Sequence, residues 1–177
     1  MKWGWMALVM TLWATGLSAQ EDQSTTEPPM TLERLAAIVQ SLDPDVVVRG
    51  PALEFTLEDI PVIVIADARA DRMRAMVPIA SAEGLSEADL LRMMQANFDS
   101  ALDARYAVAH GRLWGVFLHP LAPLEKDELL SGLVQVITVA RTYGTAYTSG
   151  GAVFGGGDSN GIYQELLEKL RKKGEAL

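Results

Sequence analysis

Two histidines, no cysteine and 23 carboxylates are the raw material for chemistry in this chain of 177 residues. One metal ion held by both His110 and His119 would need each ring nitrogen within about 2.1 Å of it. The runs 105–110 and 113–119 read as two strands about Gly111-Arg112, a pair that suits a type II′ turn. In that pairing Tyr106 faces Phe117, Val108 faces Gly115, His110 faces Leu113, and His119 faces Ala104. The histidines then lie about 20 Å apart at ~3.3 Å per strand residue, too far for a shared ion. The absence of cysteine removes the thiol nucleophile, the thiolate metal site and the lipidated N-terminus.

Carboxylate pairs perform acid–base work when their surroundings split their pKa values. The pairs here, Asp43/Asp45, Glu58/Asp59 and Asp67/Asp71, fall at the ends of elements and read as turn and cap residues. Gly155-Gly156-Gly157-Asp158-Ser159-Asn160-Gly161 has the glycine content of a phosphate loop but lacks its Lys-Ser/Thr, and no strand leads into it. Its glycine also falls too early for a calcium loop. It reads as a linker ending in an N-cap, Asp158 or Ser159, for a last helix. No Gly-x-Ser-x-Gly elbow occurs. The expectation is no catalytic residue, no cofactor and no metal, hence not an enzyme.

The elements that would position a binding surface are more legible. Residues 31–42 carry Leu32, Leu35, Val39 and Leu42 at helical spacing, with Thr31 as N-cap and Pro44 as the stop. Strand patterns follow at 46–49 and 52–57, then at 62–66 as an unbroken apolar run. Another lies at 72–79, where Pro78 suggests an edge strand. Ser86-x-x-Asp89 resembles a capping box and opens a second helix, with Leu90, Leu91, Met94 and Phe98 expected inward. The 105–119 hairpin comes next. A long helix over 124–143 then presents Leu129, Leu133, Val136, Ile137 and Ala140. A glycine-rich linker (144–157) leads to an amphipathic helix (158–177) bearing Ile162, Leu166, Leu167 and Leu170. The fold class is therefore α+β, an antiparallel sheet of about five strands packed with helices. The order is α-β-β-β-(β)-α-β-β-α plus a C-terminal helix.

The first 19 residues have a basic start at Lys2, an uncharged apolar stretch over 3–17, and Ser18-Ala19. This is the pattern of a cleavable export signal, and ~15 apolar residues are short for a membrane-spanning helix. Residues 20–30 contain Pro28-Pro29 and read as a flexible lead-in. The expectation is a periplasmic protein with no membrane anchor after cleavage. Residues 20–177 carry 14 basic and 23 acidic side chains, a net −9, which argues against nucleic acid as a partner.

The segment 97–124 contains Ala-Arg-Tyr-Ala-Val-Ala (104–109), Leu-Trp-Gly-Val-Phe-Leu (113–118) and Pro-Leu-Ala-Pro-Leu (120–124). With the order of elements over 31–143, it resembles the YbjN family, whose fold is that of the type III secretion chaperones. The resemblance implies a binding or chaperone-like domain, often dimeric, with no active site to carry over. Secretion chaperones act in the cytoplasm, so the export signal departs from that pattern.

The expected function is a non-enzymatic periplasmic module that binds a protein or peptide. The alternative is an envelope enzyme using carboxylates in a subunit interface. Trp114, Val116 and Leu118 share one hairpin face and are the candidate partner or homodimer surface, together with Met93 and Met94 as an adaptable patch. That hairpin face needs cover, either from the C-terminal helix or from a second subunit.

Overall fold

The computed structural model describes residues 27–99, 102–144 and 159–174. The expected export signal, residues 20–26 of the lead-in, residues 145–157 of the linker and Asp158 lie outside the described residues. The elements are α1 (Leu32–Leu42), β1 (Val47–Arg49), β2 (Ala52–Leu57), β3 (Ile60–Asp67), β4 (Arg72–Ser81), α2 (Glu87–Asp99), β5 (Arg105–Ala109), β6 (Arg112–His119), α3 (Lys126–Thr142) and α4 (Ser159–Gly174). The fold is α+β: one six-stranded antiparallel sheet in the order β1-β2-β3-β4-β6-β5, packed with helices.

Turn chemistry sets the registers. Glu58 and Asp59 (φ 52° and 63°) join β2 to β3, and His110 and Gly111 (φ 51° and 69°) join β5 to β6. Two left-handed residues in a row make a type I′ turn, whose twist matches that of the strands. The hairpin turn is thus His110-Gly111, one residue earlier than expected and of the other primed type. Tyr106 pairs with Gly115, Val108 with Leu113, and Ala109 with Arg112. The register moves by two residues, so every side chain keeps its expected face.

β4 is an interior strand, not an edge. It lies between β3 and β6, and the register shifts between Pro78 and Ala80. That bulge is how the sheet accommodates a proline in an interior strand. β3 is interior as expected, but it is buried on alternate residues only, with Ile65 exposed.

One face of the sheet carries Leu53, Phe55, Val62, Val64, Met73, Ala75, Val77, Leu113 and Phe117, all buried in a single core with α1, α3 and α4. α3 is buried almost all round, because the sheet lies on one side of it and α4 on the other. It sits close to β6: a Cβ on Gly115 would be 3.2 Å from the Val136 carbonyl oxygen. Tyr106, opposite Gly115, crosses to donate to the Val139 carbonyl at 2.9 Å. Leu166, Leu167 and Leu170 seat α4 against α3 and α1. Fully burying one such leucine contributes roughly 1.5–3 kcal/mol. α4 therefore lies on the helical side and does not cover the outer hairpin face.

Polar contacts fix the same layers. Lys169 and Arg141 reach Glu58 at the β2–β3 turn, tying α4 and α3 to it. The Lys169 ammonium is the main reason the Glu58 carboxyl is held below the usual range. Asp43 accepts from the Asp45 and Thr56 backbone amides, and Asp67 from those of Arg69 and Ala70, so both act as turn and cap residues. Thr31 caps α1 by accepting from the Arg34 amide at 3.2 Å. Leu32, expected on the inner face of α1, is exposed, and Ile38 takes that role. The lead-in is docked from Glu27 onward, contrary to the expectation of flexibility through residue 30. Met30 is buried and its amide donates to the Ala122 carbonyl, while Glu27 accepts from Arg34 and from the Lys126 amide.

Candidate functional site

Strand alternation places a second set of residues on the opposite face of the sheet. The pairing aligns Glu54, Ile63, Met76, Val116 and Arg105 in one row, and Ile65, Arg74 and Leu118 in the next. Pro78 and Trp114 continue the face toward the hairpin turn, with Ala107 beside Trp114. None of these residues belongs to the core, and no helix among the described residues packs over them. Leu118 is 54% exposed and Ile65 37% exposed, whereas Val116, walled in by its neighbours, is 9% exposed. Trp114 is half-buried. Its Nε1 donates to the Ala109 carbonyl at 3.0 Å, and the Arg112 guanidinium lies 6.0 Å from the ring centroid. The hydrogen bond and the cation–π contact hold the indole across the hairpin and leave its apolar ring available.

The structure thus brings Trp114, Val116 and Leu118 together, on a face wider than the hairpin. It does not bring Met93 there. Met93 is 1% exposed and belongs to the core, while Met94 is 54% exposed on α2. The whole apolar stripe of that helix is turned the other way from expectation. Leu90, Leu91, Met94 and Phe98 face out, and Met93 and Ala96 face in. The reciprocal Ser86–Asp89 cap does form, and Asp89 is held below the usual carboxylate range chiefly by the Ser86 hydroxyl. Buried Met93 and Ala96 seat α2 together with a polar contact: the Asn97 side chain bridges the Tyr106 amide and carbonyl of β5.

Sequence reasoning also missed the arginines. Arg74, Arg105 and Arg112 point to the open face by strand parity and pair with no carboxylate among the described residues. Arg72 and Arg49 lie on the same face, where Arg49 pairs with Glu54 at 3.2 Å. A chain of net charge −8 therefore presents a basic rim, with Arg74 inside it, on its uncovered apolar surface. The parity of Arg112 with Trp114 and of Arg74 with Met76 was the available signal.

A cavity of 430 Å³ where β6, α3 and α4 meet is lined by His119, Asp103, Asp127, Glu128, Ser131, Gln135 and Arg171. Its polar groups are engaged in holding the fold. His119 Nδ1 meets the Pro120 carbonyl, and its Nε2 is 4.0 Å from Glu128. Glu128 accepts from the Glu125 amide, Asp127 pairs with Arg171, and Ser131 hydrogen-bonds the Tyr163 hydroxyl. Gln135 accepts from the Asp103 and Ala104 amides at 2.7 and 2.9 Å, anchoring the entry to β5. His110 sits in the hairpin turn, at the far end of β6 from His119. Among the described residues no group of three or more ligating side chains could hold a metal ion.

No family model and no curated protein matches the chain. Among solved structures it is similar to a chain of the HopA1–SchA chaperone–effector complex, with 11% identity over 62% of this chain and 89% of that chain and a TM-score of 0.49. It is also similar to a chain of the Yersinia pestis type III secretion chaperone SycH in complex with a stable fragment of YscM2. There the identity is 14% over 60% of this chain and 97% of that chain, with a TM-score of 0.46.

Proposed function

We propose that this chain is an exported, non-enzymatic protein-binding module of chaperone-like type, a relative of the YbjN family. It takes a protein or peptide, a second copy of itself included, across the open face of its sheet. One observation carries the reading: Met76, Trp114, Val116 and Leu118 are neighbours on an apolar surface, with Ile65 beyond Arg74, that no described helix covers, although α4 is available and packs elsewhere. Contiguous apolar patches rimmed by polar residues mark interaction sites. The acid–base groups of the cavity, His119, Asp127 and Glu128, are by contrast engaged in cap, ion-pair and backbone contacts. The basic-then-apolar pattern of residues 1–19 supports a periplasmic location.

The test is to immobilise the mature protein and its Trp114→Ser/Leu118→Ser variant and compare the polypeptides each retains from periplasmic extract. A specific polypeptide held by the wild type and lost by a folded variant is expected. Equal retention by both would contradict the reading. N-terminal sequencing of the mature protein is expected to start near Gln20; recovery of the whole chain with the membrane would contradict export.

A further inference from the structure

We infer that the occupant of the open face is an acidic amphipathic segment of a partner protein: an apolar stripe seated on Ile65, Met76, Trp114, Val116 and Leu118, with flanking carboxylates meeting Arg74, Arg105 and Arg112. The inference rests on the protein-binding reading and adds the chemistry of the partner.

Charge decides between occupants. Arg105 lies on the edge strand beside Val116, Arg112 lies at the hairpin end over Trp114, and Arg74 lies between Ile65 and Leu118. These cations lie among and beside the apolar residues. Of the carboxylates that strand parity puts on this face, Glu54 pairs with Arg49, and Asp67, at the end of β3 opposite Arg72, accepts from the Arg69 and Ala70 amides. A second copy meeting this face across a two-fold axis would present the same patch, arginines against arginines. Arg105 already donates to the Leu102 and Ala104 carbonyls, but a neutral apolar partner would leave the Arg74 and Arg112 guanidinium groups in a dry contact with no carboxylate to accept from them. A segment carrying Glu or Asp on either side of its stripe satisfies both surfaces, since arginine forks match carboxylates bidentately. The dimensions agree. The face spans β3 to β5, three steps of about 4.8 Å, or roughly 14 Å. A helix with its side chains is about 10–12 Å wide.

The experiment uses the mature full chain and three labelled synthetic peptides, read by fluorescence anisotropy. The first has a leucine stripe flanked by glutamates. The second replaces each glutamate with lysine, and the third replaces each leucine with serine. The first peptide is expected to bind, to weaken as salt rises, and to lose about tenfold or more in affinity with the Arg74→Glu/Arg112→Glu variant. Both arginines are exposed, so that variant is expected to stay folded and to melt at most a few degrees below the wild type, for loss of the Arg112–Trp114 contact. Equal binding of the lysine peptide, no binding of the glutamate peptide, or indifference to the charge reversal overturns the inference. So does binding to phosphatidylglycerol vesicles in place of the peptide, which would assign the face to an anionic lipid surface. A concentration-dependent dimer abolished by Leu118→Ser would assign it to a second copy and overturn it as well. If the peptides fail while the face still retains a polypeptide from periplasmic extract, the partner chemistry is wrong and the protein-binding reading survives. If both fail, both fall.

Discussion

Gly132→Ala tests how the helices meet the sheet. Gly132 lies on α3 directly over the Phe117 ring of β6. A Cβ built there would fall 2.5, 2.6 and 2.9 Å from three ring atoms. Carbon atoms in contact prefer about 3.5–4.0 Å, so the ring must turn or the helix must lift by about 1 Å. The ring has little room. Phe117 is 4% exposed and is stacked on His119 with centroids 6.0 Å apart. Overpacking of this kind costs roughly 1–3 kcal/mol, against which alanine recovers about 1 kcal/mol of helix propensity. The expected balance is a net loss of up to about 2 kcal/mol, or up to roughly 4–8 °C in Tm. Thermal melts of wild type, Gly132→Ala, Phe117→Leu and the double variant give the coupling. The double variant should lose less than the sum of the singles, because the smaller side chain makes room for the methyl. Gly161→Ala, on an open part of α4, is the control and should not destabilise. A Gly132→Ala melt at or above wild type, with no coupling to Phe117, would refute the placement of α3 on β6.

Gln135→Met keeps volume but strips the acceptor from the Asp103 and Ala104 amides, so it should cost about 1–3 kcal/mol by denaturant unfolding and speed exchange of the Ala104 amide. Glu58→Gln should lower Tm at neutral pH. Because the Glu58 carboxyl is held below its ordinary value, its contribution is present above the unfolded pKa of about 4.3 and fades as pH falls through the folded value, so the two melting curves should converge in acid. His110→Asn should raise stability by up to about 1 kcal/mol in the same melts, since asparagine is the better left-handed residue for a type I′ turn; a loss would speak against the His110-Gly111 turn.

The α+β order and most element bounds were legible because turn residues, caps and strand alternation are local signals. Thr31, Ser86 with Asp89, and the 105–119 hairpin needed no tertiary knowledge. What failed depended on neighbours in space. Pro78 read as an edge signal because a bulge that absorbs a proline inside a sheet leaves no trace in one strand's pattern. The α2 stripe of Leu90, Leu91, Met94 and Phe98 read as inward because helical spacing gives a face but not its direction. α3 carries Leu130, Val134 and Val139 off its main stripe, a sign of burial on two sides that a single-stripe reading passed over. The position of α4 was open, since a linker of glycines says nothing of where the next helix docks. Of the candidate surface, Trp114, Val116 and Leu118 share a face as strand parity requires, Met94 is exposed elsewhere, and Met93 is core. The arginine rim was missed because net charge averages over a molecule whose charges are unevenly placed.

The most direct measurement is site-specific photo-crosslinking in the cells that make the protein. A photoreactive residue replaces Leu118 in one variant and Gln40, exposed on α1, in another. Open-face binding predicts a discrete polypeptide adduct from position 118, absent from position 40 and diminished by Arg74→Glu/Arg112→Glu. Adducts of equal yield from both positions, or none from position 118, would contradict the assignment of the sheet's open face as the binding site.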